Sequence, residues 1–443
     1  MKLVAANEPW LKTAPGDWPA SRVRNVAALS PSFSQDPPAP DELCTVVPME
    51  RVSEEGDIDT SLQEVAEEIS DGLTLFESGD VIFAKITPCM ENGKVAFVSS
   101  LPTRYAFGST EFHVLRPRYS ADGKFLYYYT FNPTYRAYAA ANMSGAAGQK
   151  RVSSRFLKDT RLFLPPVPEQ LRIAEYLKQS RYAIDVAVAA KRDQIKTLAE
   201  ISESVIETAV TNGVGDPGKK VAINRDWLGM LPEHWDVVRV RRVVSRMDYG
   251  TSEATHREGT YPVLKMGNIQ NREIVFSKME FVDEVDDDLL LSADDLLYNR
   301  TNSADKVGKA ALFRGSKDDH VTFASYLVRL RVNHRVVPAF LNYVLNCKGF
   351  LGFARKLAIP SVQQSNLNST RYGQLLIPLP PRSEQERIVA YLDAKVADAA
   401  DVTAIIEEQI RTLTAYRDAL IHELVTGQQR LPESDVSEAQ ALG

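Results

Sequence analysis

Two glycine–lysine pairs occupy positions that could form part of a phosphate-binding loop. They are Gly93-Lys94 and Gly308-Lys309, and each comes just before a short apolar run. A nucleotide-binding P-loop also requires an upstream glycine and a Ser or Thr directly after the lysine. Both pairs lack these residues, so the sequence predicts no nucleotide chemistry at either one.

Two other stretches contain groups used in catalysis. The segment FNPTY, ending at Tyr135, resembles the Asn-Pro-Pro-aromatic motif of amino-methyltransferases, but Thr134 replaces the second proline and no glycine-rich turn precedes it. The carboxylates of residues 283–288 are of the type that binds Mg²⁺ in nucleases, yet no lysine is placed with them. The first segment reads as part of an aromatic core and the second as a solvated loop. The sequence therefore predicts a chain that is not an enzyme.

The cysteines and histidines predict no metal site. Cys44, Cys89 and Cys347 are far apart, without the CxxC spacing of a thiolate zinc site, and they form no disulfide framework. The 6 histidines are scattered singly, so no helix face presents two of them as ligands. We expect three reduced thiols and no cofactor bound by this chain.

Length and charge indicate the broad class. For 443 residues, of which 44% are hydrophobic, about two to four domains are expected. No apolar run approaches about 18 residues and no secretory signal is recognisable, so we expect a cytoplasmic protein without membrane contact. The net charge is −6, but basic residues cluster within 150–158 and 239–246. Such patches can bind nucleic acid, because salt screens exposed charges beyond about 10 Å.

An internal repeat determines which elements position the polar groups. The stretch LPPVPEQLRIAEYL begins at position 164, and LPPRSEQERIVAYL begins at position 379, 215 residues later. The same offset aligns Asp80 with Asp295, and near the start of each half an offset of 217 aligns Trp18 with Trp235. The chain is therefore predicted to contain two copies of one ancestral half.

Each half is predicted to begin as a mixed α/β globule and to end as a long helix. Runs such as VIFAKI, KVAFV and EFHVLRP, with YPVLKM, LLYNR and YLVRLRV in the second half, have strand length and turn residues at their edges. The Pro-Pro pairs begin the helices, and Ser383 with Glu386 has the spacing of a capping box. Beyond Pro168 and Pro381, neither segment contains Pro or Gly before Gly213 or Gly427. Two helices of roughly 45 residues, about 65 Å each, are expected.

The apolar residues of both helices follow seven-residue steps, which is typical of a coiled-coil seam. The seam residues are Leu177, Ile184, Val188, Ile195, Leu198, Val205 and Ala209, then Leu392, Val396, Ala399, Ile406, Ile410, Leu413, Leu420 and Leu424. Polar residues interrupt it at Arg181, Lys191, Ser202, Thr403 and Arg417. Neither helix therefore looks like a strong self-associating zipper. We expect the two to pair within one chain, and the alternative is that each packs only on its own globule.

Two similar globules on one helix pair form a pseudo-two-fold body with two related but non-identical faces. That geometry suits two unequal half-sites on a DNA duplex, whose separation is set by the protein. With its duplicated Pro-Pro…Glu-Gln…Arg-Ile…Tyr-Leu signature and the helix endings AVTNG and LVTGQ, the chain resembles the specificity subunit of a Type I restriction–modification system. The resemblance covers nearly the whole length.

The resemblance implies a fold and its division into domains. The fold is a mixed α/β (α+β) one, with two target-recognition domains in tandem pseudo-two-fold repeat and two long antiparallel helices forming an intramolecular coiled coil. The implied segments are a first recognition domain at 1–163, a central helix at 164–213, a second recognition domain at 214–378, a C-terminal helix at 379–428 and a frayed tail at 429–443.

The resemblance also implies partners and a non-catalytic role. Subunits of this family read an asymmetric, bipartite site in double-stranded DNA, one half per recognition domain. Their helices hold two copies of a methyltransferase subunit, which flips and methylates adenine, and motor-nuclease subunits join through it. One copy of this chain is expected per complex, in a prokaryotic cytoplasm. S-adenosylmethionine, ATP and Mg²⁺ are expected on the partner subunits.

Turns between the short strands carry the groups that read DNA, since Arg or Lys pairs with guanine, Asn or Gln pairs with adenine, and other cations and hydroxyls contact phosphates. The candidates in the first half are Lys85, Thr87, Glu91, Asn92, Lys94, Ser109, Thr110, Gln149, Lys150 and Arg151. Those in the second half are Lys265, Asn268, Gln270, Arg300, Asn302, Ser303, Lys306, Lys309, Gln363, Gln364, Ser365 and Asn366.

The aligned candidates differ, as Thr87 does from Asn302 and Glu91 from Lys306, so the halves are expected to read different bases. Two alternatives remain at this stage. A plain coiled-coil scaffold would explain the helices but not the duplicated polar turns, and a methyltransferase in its own right would bind its cofactor as an isolated chain.

Overall fold

The computed structural model describes residues 2–32, 37–69, 72–146, 148–361 and 364–432. Within them the chain forms two compact units. Met1–Lys191 and Glu407–Gly443 make the first, and Arg192–Ile406 makes the second. Each unit contains one globular half of the repeat and part of both long helices. The predicted five-segment division remains a prediction, since these units divide both helices.

The first unit contains short strands in small sheets. The strands are β1 (Leu3–Glu8), β2 (Leu11–Pro15), β3 (Ala20–Arg22), β4 (Ala27–Leu29), β5 (Leu43–Val47), β6 (Gln63–Val65), β7 (Thr74–Phe76), β8 (Val81–Ala84), β9 (Val95–Phe97), β10 (Ala106–Gly108), β11 (Phe112–Pro117) and β12 (Arg161–Phe163). Four-stranded sheets have the orders β6-β5-β10-β7 and β4-β11-β8-β9, and β1-β2 and β12-β3 form pairs. Its short helices are α1 (Val23–Val26), α2 (Gly123–Phe131), α3 (Pro133–Ala141) and α4 (Ser154–Asp159).

The long helix α5 spans Val167–Asn212, and the second unit continues from its C-terminal part. The strands of that unit are β13 (Lys220–Arg225), β14 (Leu228–Pro232), β15 (Asp236–Arg239), β16 (Val244–Tyr249), β17 (Tyr261–Leu264), β18 (Ile269–Gln270), β19 (Glu273–Ile274), β20 (Glu280–Val282), β21 (Leu296–Asn299), β22 (Thr301–Asn302), β23 (Ala310–Leu312), β24 (Thr322–Phe323), β25 (Leu327–Val332), β26 (Ile359–Ser361), β27 (Gln364–Asn366) and β28 (Leu376–Leu379). Its helices are α6 (Pro338–Asn346), α7 (Lys348–Lys356) and α8 (Ser369–Gln374), followed by the long helix α9 (Arg382–Val425).

The sheets of the second unit follow a related plan. The largest has the order β16-β25-β21-β23-β19-β18, and two three-stranded sheets have the orders β20-β17-β24 and β22-β27-β26. The predicted runs VIFAKI, KVAFV and EFHVLRP become β8, β9 and β11, and those of the second half become β17, β21 and β25. Both halves are therefore mixed α/β, as predicted.

A buried ion pair is repeated in the two halves at the offset of 215. Arg116 donates from Nε and Nη2 to the carboxylate of Asp80 at 2.9 and 2.7 Å, and Arg331 donates in the same way to Asp295 at 2.8 and 2.7 Å. Both carboxylates are almost completely buried. Because a buried charge requires a close, hydrogen-bonded partner, each aspartate fixes the pairing of two core strands.

The glutamine of each Glu-Gln signature anchors a long helix to its own globule. The buried Gln170 side chain donates to the carbonyls of Pro165 and Ser120 at 2.8 and 3.0 Å, and accepts from the Asp122 N–H at 2.8 Å. The buried Gln385 makes the same three bonds, to Pro380, Arg335 and Val337, at distances of 2.8, 3.1 and 2.7 Å. The signature therefore connects each globular half to the start of its long helix.

The repeat includes the first hairpin of each half, at the offset of 217. The hairpin β1-β2 pairs Leu3 with Pro15, and β13-β14 pairs Lys220 with Pro232 in the same register with the same irregularity. Trp10 makes an edge contact with the ring of Tyr135 at 5.4 Å, and at the matching positions Trp227 makes one with Phe350 at 6.0 Å. Each half therefore begins with a tryptophan-anchored hairpin.

The two long helices pack together, and within the first unit they run antiparallel. Arg417 of α9 donates to Asp185 of α5 at 3.1 Å, and Lys191 donates to Gln409 at 2.5 Å. Seam-interrupting cations thus serve as partners between the helices. In the second unit, apolar side chains of both helices line a common groove, among them Leu198, Val205, Leu392, Val396 and Ala399.

Tryptophans also pack on the glycines that end the helices. In the second unit Trp235 lies against Gly213, which has a φ of +79°, and in the first unit Trp18 lies against Gly427, with a φ of +69°. Arg430 stacks over Trp18 and donates to Glu169 at 2.9 Å and to Asp17. Among the described residues, no helix is both long and apolar enough to cross a membrane. Residues 433–443 of the predicted frayed tail lie outside the described ones.

Candidate nucleic-acid interface

In the first unit three loop segments converge where β8 ends. The Lys85 N–H donates to the carbonyl of Glu111 at 2.9 Å, and the Val152 N–H donates to the carbonyl of Lys85 at 2.8 Å. The Thr87 N–H donates to Lys150 at 3.0 Å. Residues 85–87, 109–111 and 149–151 are therefore fixed side by side by backbone hydrogen bonds, and we call them the first polar edge.

The second unit builds the same backbone arrangement where β21 ends. The Arg300 N–H donates to the carbonyl of Tyr326 at 3.0 Å, and the Leu367 N–H donates to the carbonyl of Arg300 at 2.8 Å. The antiparallel pairs Thr301 with Asn366 and Ile359 with Asn366 match Ile86 with Arg151 and Ser144 with Arg151, each 215 positions earlier. We call residues 300–302, 324–326 and 364–366 the second polar edge.

The side chains of the first polar edge centre on an arginine held by a carboxylate. Arg151 donates to Glu111 from Nε and Nη2 at 3.0 and 2.7 Å. These bonds, together with the positive charges of Arg151 and Lys85, keep the pKa of the Glu111 carboxyl below its usual range. Glu111 therefore stays ionised and orients Arg151.

The other candidates of this edge lie around that pair. Gln149, Lys150 and Thr110 are exposed, whereas Lys85, Thr87 and Ser109 are half-buried. The Ser109 hydroxyl accepts from the Glu111 N–H at 3.2 Å, and the Thr87 hydroxyl donates to the Lys150 carbonyl at 3.3 Å. The exposed side chains of Thr110, Gln149 and Lys150 therefore lie around the hydrogen-bonded pair of Arg151 and Glu111.

The second polar edge carries different groups on the matching backbone. The Arg300 guanidinium lies 4.8 Å from the ring centre of Tyr249 and donates to the Ser325 carbonyl at 3.1 Å. The Asn366 side-chain amide donates to the Thr301 hydroxyl at 2.9 Å, and Oδ1 of Asn302 accepts from the Ser303 N–H at 2.8 Å. Gln364 is exposed and Ser365 is nearly buried, while Gln363 lies outside the described residues. Amides and aromatic rings thus replace the arginine and carboxylate of the first edge.

Glu91, Asn92 and Lys94 belong to the turn that follows the first polar edge. Asn92 donates to Glu54 at 2.7 Å and the Lys94 ammonium donates to the Met49 carbonyl at 3.0 Å, whereas the Glu91 side chain is exposed. Two of these three candidates therefore bind an adjacent loop of the same unit.

The matching turn of the second unit contains Ser303, Lys306 and Lys309. Ser303 donates to Asp305 at 2.6 Å, and Lys306 is exposed. Lys309 lines a cleft that also receives the side chains of Arg272, Lys348 and Arg355. Lys306 is thus the candidate of this turn that is open to solvent.

Lys265, Asn268 and Gln270 form a separate loop network. Asn268 is only 5% exposed, donates to Val275 and Ser277 at 2.8 and 3.0 Å, and accepts from the Lys265 N–H at 2.8 Å. Both amide hydrogens are used in holding the loop and the side chain is buried, so Asn268 is not available to a base. The Lys265 ammonium lies 2.5 Å from Glu280 and lowers the pKa of that carboxyl, and the exposed Gln270 donates to Gly267 at 3.0 Å.

Sequence reasoning missed two residues of the polar edges, Glu111 and Tyr326, and one aromatic residue beside the second edge, Tyr249. Glu111 directly follows the predicted Ser109-Thr110, and Tyr326 occupies the matching position in the second half, where it is 47% exposed. Tyr249 ends β16 and is 41% exposed. The offset of 215, applied to Glu111, was a signal that would have found Tyr326.

Comparison with known proteins supplies the family context. Residues 57–197 and 232–412 match the model of a family described as the Type I restriction modification DNA specificity domain. The chain is 27% identical over 226 residues to the Type I restriction enzyme EcoAI specificity subunit of Escherichia coli, covering 51% of this chain and 37% of that relative. The chain thus spans well under two thirds of that relative's length.

Solved structures show the same fold. One chain, from a structure titled for complex assembly and conformational transition of the type I R-M system, has a TM-score of 0.76 at 19% identity, covering 94% of this chain and 99% of its own length. The HsdS subunit of Thermoanaerobacter tengcongensis has a TM-score of 0.56 at 20% identity, covering 94% of this chain and 98% of that one.

Proposed function

Because the chain belongs to the family of Type I restriction–modification DNA specificity subunits, we propose that its two polar edges read the two halves of one bipartite site in double-stranded DNA. The first polar edge contacts one half-site and the second contacts the other. The chain itself performs no catalysis, and S-adenosylmethionine, ATP and Mg²⁺ bind to the partner subunits.

The matching backbone of the two edges is the observation that carries this proposal. Hydrogen bonds 215 positions apart hold both edges in one geometry, yet Glu111, Lys150 and Arg151 stand where the second edge has Tyr326, Ser365 and Asn366. Base edges are distinguished by their hydrogen-bond donors and acceptors. Two DNA-binding edges with the same backbone geometry but different side-chain donors and acceptors are therefore suited to two different base sequences.

The helix pair serves as spacer and as docking site for two methyltransferase subunits. On the first unit Tyr182, Val186 and Tyr416 are more than half exposed, and on the second unit Ile201 and Ile405 are as well. Tyr416 and Ile201 occupy matching positions of the repeat. Exposed large apolar groups on a helix favour a protein partner, and the matching pair Tyr416 and Ile201 supports two copies of the same partner. Motor-nuclease subunits join through these copies.

The test is a genome-wide map of adenine methylation in cells with and without this gene, expressed with its methyltransferase subunit. We expect methylation at one asymmetric, bipartite motif to disappear when the gene is deleted. Replacement of residues 1–163 by those of a relative then changes one half-site only, and replacement of 214–378 changes the other.

Three outcomes would contradict the proposal. If the assembled complex bound all DNA sequences equally, the chain would be a coiled-coil scaffold. If the isolated chain bound S-adenosylmethionine and methylated DNA without its partner, it would be a methyltransferase. A change of both half-sites in either exchange would contradict the assignment of one half-site to each polar edge.

A further inference from the structure

We propose that Arg151 reads a guanine in the first half-site and that Glu111 is the residue that positions it. This inference rests on the proposed function and assigns a base to one residue of the first polar edge. Arginine pairs with guanine through two parallel hydrogen bonds, to O6 and N7, from adjacent N–H groups.

The contacts of Arg151 leave one such pair of donors available. Glu111 occupies the side of the guanidinium formed by Nε and Nη2, at 3.0 and 2.7 Å. Nη1 donates to the Gln149 carbonyl at 3.1 Å. A guanidinium has five N–H groups, so Nη1 and Nη2 each keep one hydrogen. Among the described residues neither of these two hydrogens has a further partner, the two nitrogens are adjacent on the guanidinium, and the side chain is 42% exposed.

Glu111 is itself held firmly enough to position its partner. Its carbonyl accepts from the Lys85 N–H at 2.9 Å and its N–H donates to the Ser109 hydroxyl at 3.2 Å. Its side chain is only 24% exposed. An arginine fixed in this way loses less conformational entropy when it binds a base. A carboxylate at this position therefore favours base reading over a loose contact with phosphate.

The matching position of the second edge presents different chemistry. Asn366 stands in place of Arg151, and its amide nitrogen donates to Thr301 at 2.9 Å. Tyr326 stands in place of Glu111, so the second edge lacks a carboxylate that could orient an arginine there. The arginine–carboxylate pair is accordingly a feature of the first polar edge that the matching positions of the second edge do not repeat.

The test uses the complex of the full chain with its methyltransferase subunit and a library of duplexes in which each base of the wild-type motif is varied. In Arg151→Gln, preference for guanine at one position of the first half-site falls about 5- to 150-fold, the range expected for one bidentate pair. Adenine gains at that position, because glutamine pairs with adenine. Glu111→Gln gives a smaller loss at the same position.

Asn366→Ala is the matched control, and it alters preference in the second half-site only. The guanine assignment is overturned if Arg151→Gln weakens binding to all sequences by one factor and lowers the salt dependence by about one ion, since that is the behaviour of a phosphate contact. It is also overturned if Glu111→Gln lowers affinity without changing any base preference. Failure of the proposed function is distinct, because the wild-type complex would then prefer no sequence at all.

Discussion

Removing the hydrogen bonds of Gln170 should destabilise the first unit, and the loss should be visible at one backbone amide, that of Asp122. In Gln170→Met the side chain keeps a similar volume, so the cavity term is small, but all three hydrogen bonds are lost. The Asp122 N–H and the Pro165 carbonyl are left without this partner in a buried setting, at about 1 to 3 kcal/mol each. The Ser120 carbonyl can hydrogen-bond to water instead, so the free energy of unfolding of the first unit should fall by about 3 kcal/mol in total.

Hydrogen–deuterium exchange with urea titration measures both parts of this prediction. The Asp122 amide should lose protection in Gln170→Met, and the Val337 amide should lose it in Gln385→Met, each without affecting the other. Gln194→Ala, an exposed change on the same long helix, should alter stability by less than about 0.5 kcal/mol. If Asp122 stays protected in Gln170→Met, the glutamine does not connect the globule to the helix and the reasoning is refuted.

Three further predictions follow from charge and exposure. Asp295→Asn should lower the free energy of unfolding, measured by urea titration, by about 3 to 5 kcal/mol. The loss should exceed that of Asp80→Asn, because Asp295 also lies 3.8 Å from the fully buried Arg329. Equal losses in the two variants would contradict this. Burial lowers the pKa of His113, so the folded protein binds fewer protons there than the unfolded chain, and stability should fall as pH drops below about 6.5. His113→Gln should flatten that dependence in thermal melts at pH 5 to 8, whereas exposed His256→Gln should not. Tyr416→Ser should reduce the number of bound methyltransferase subunits to one per chain, as measured by native mass spectrometry at a limiting concentration of that subunit, and should leave the thermal stability of the chain unchanged. Two retained copies would exclude this docking face.

The helices and the repeat were predictable because they depend on local rules. Proline pairs, seven-residue spacing and an internal offset are all visible without knowledge of three-dimensional contacts. The capping box at Ser383 was wrong, since α9 begins at Arg382 and Glu386 pairs with that arginine at 3.2 Å. Two prolines directly before the helix already define its start.

The polar edges were only partly predictable, because residue type does not show which partner a side chain finds. Asn268 has an amide of the kind that hydrogen-bonds to bases, yet its NH₂ group donates to neighbouring loop carbonyls instead. Glu111 was missed because its role, which is to orient Arg151, depends on a contact between residues 40 positions apart. The N-terminal hairpins were not predicted, although the offset of 217 also aligns Trp10 with Trp227 and Pro15 with Pro232.

The division of both long helices between the units has a consequence for synthesis on the ribosome. The second unit, Arg192–Ile406, is complete in one continuous stretch, whereas the first waits for Glu407 and the residues beyond it. Until then Ile173 and Leu177 lack Leu420 and Leu424, with which they share a core. The half that is translated first is therefore finished last. A premature stop codon after residue 406 would damage the recognition globule at the opposite end of the gene, while its own codons remain intact.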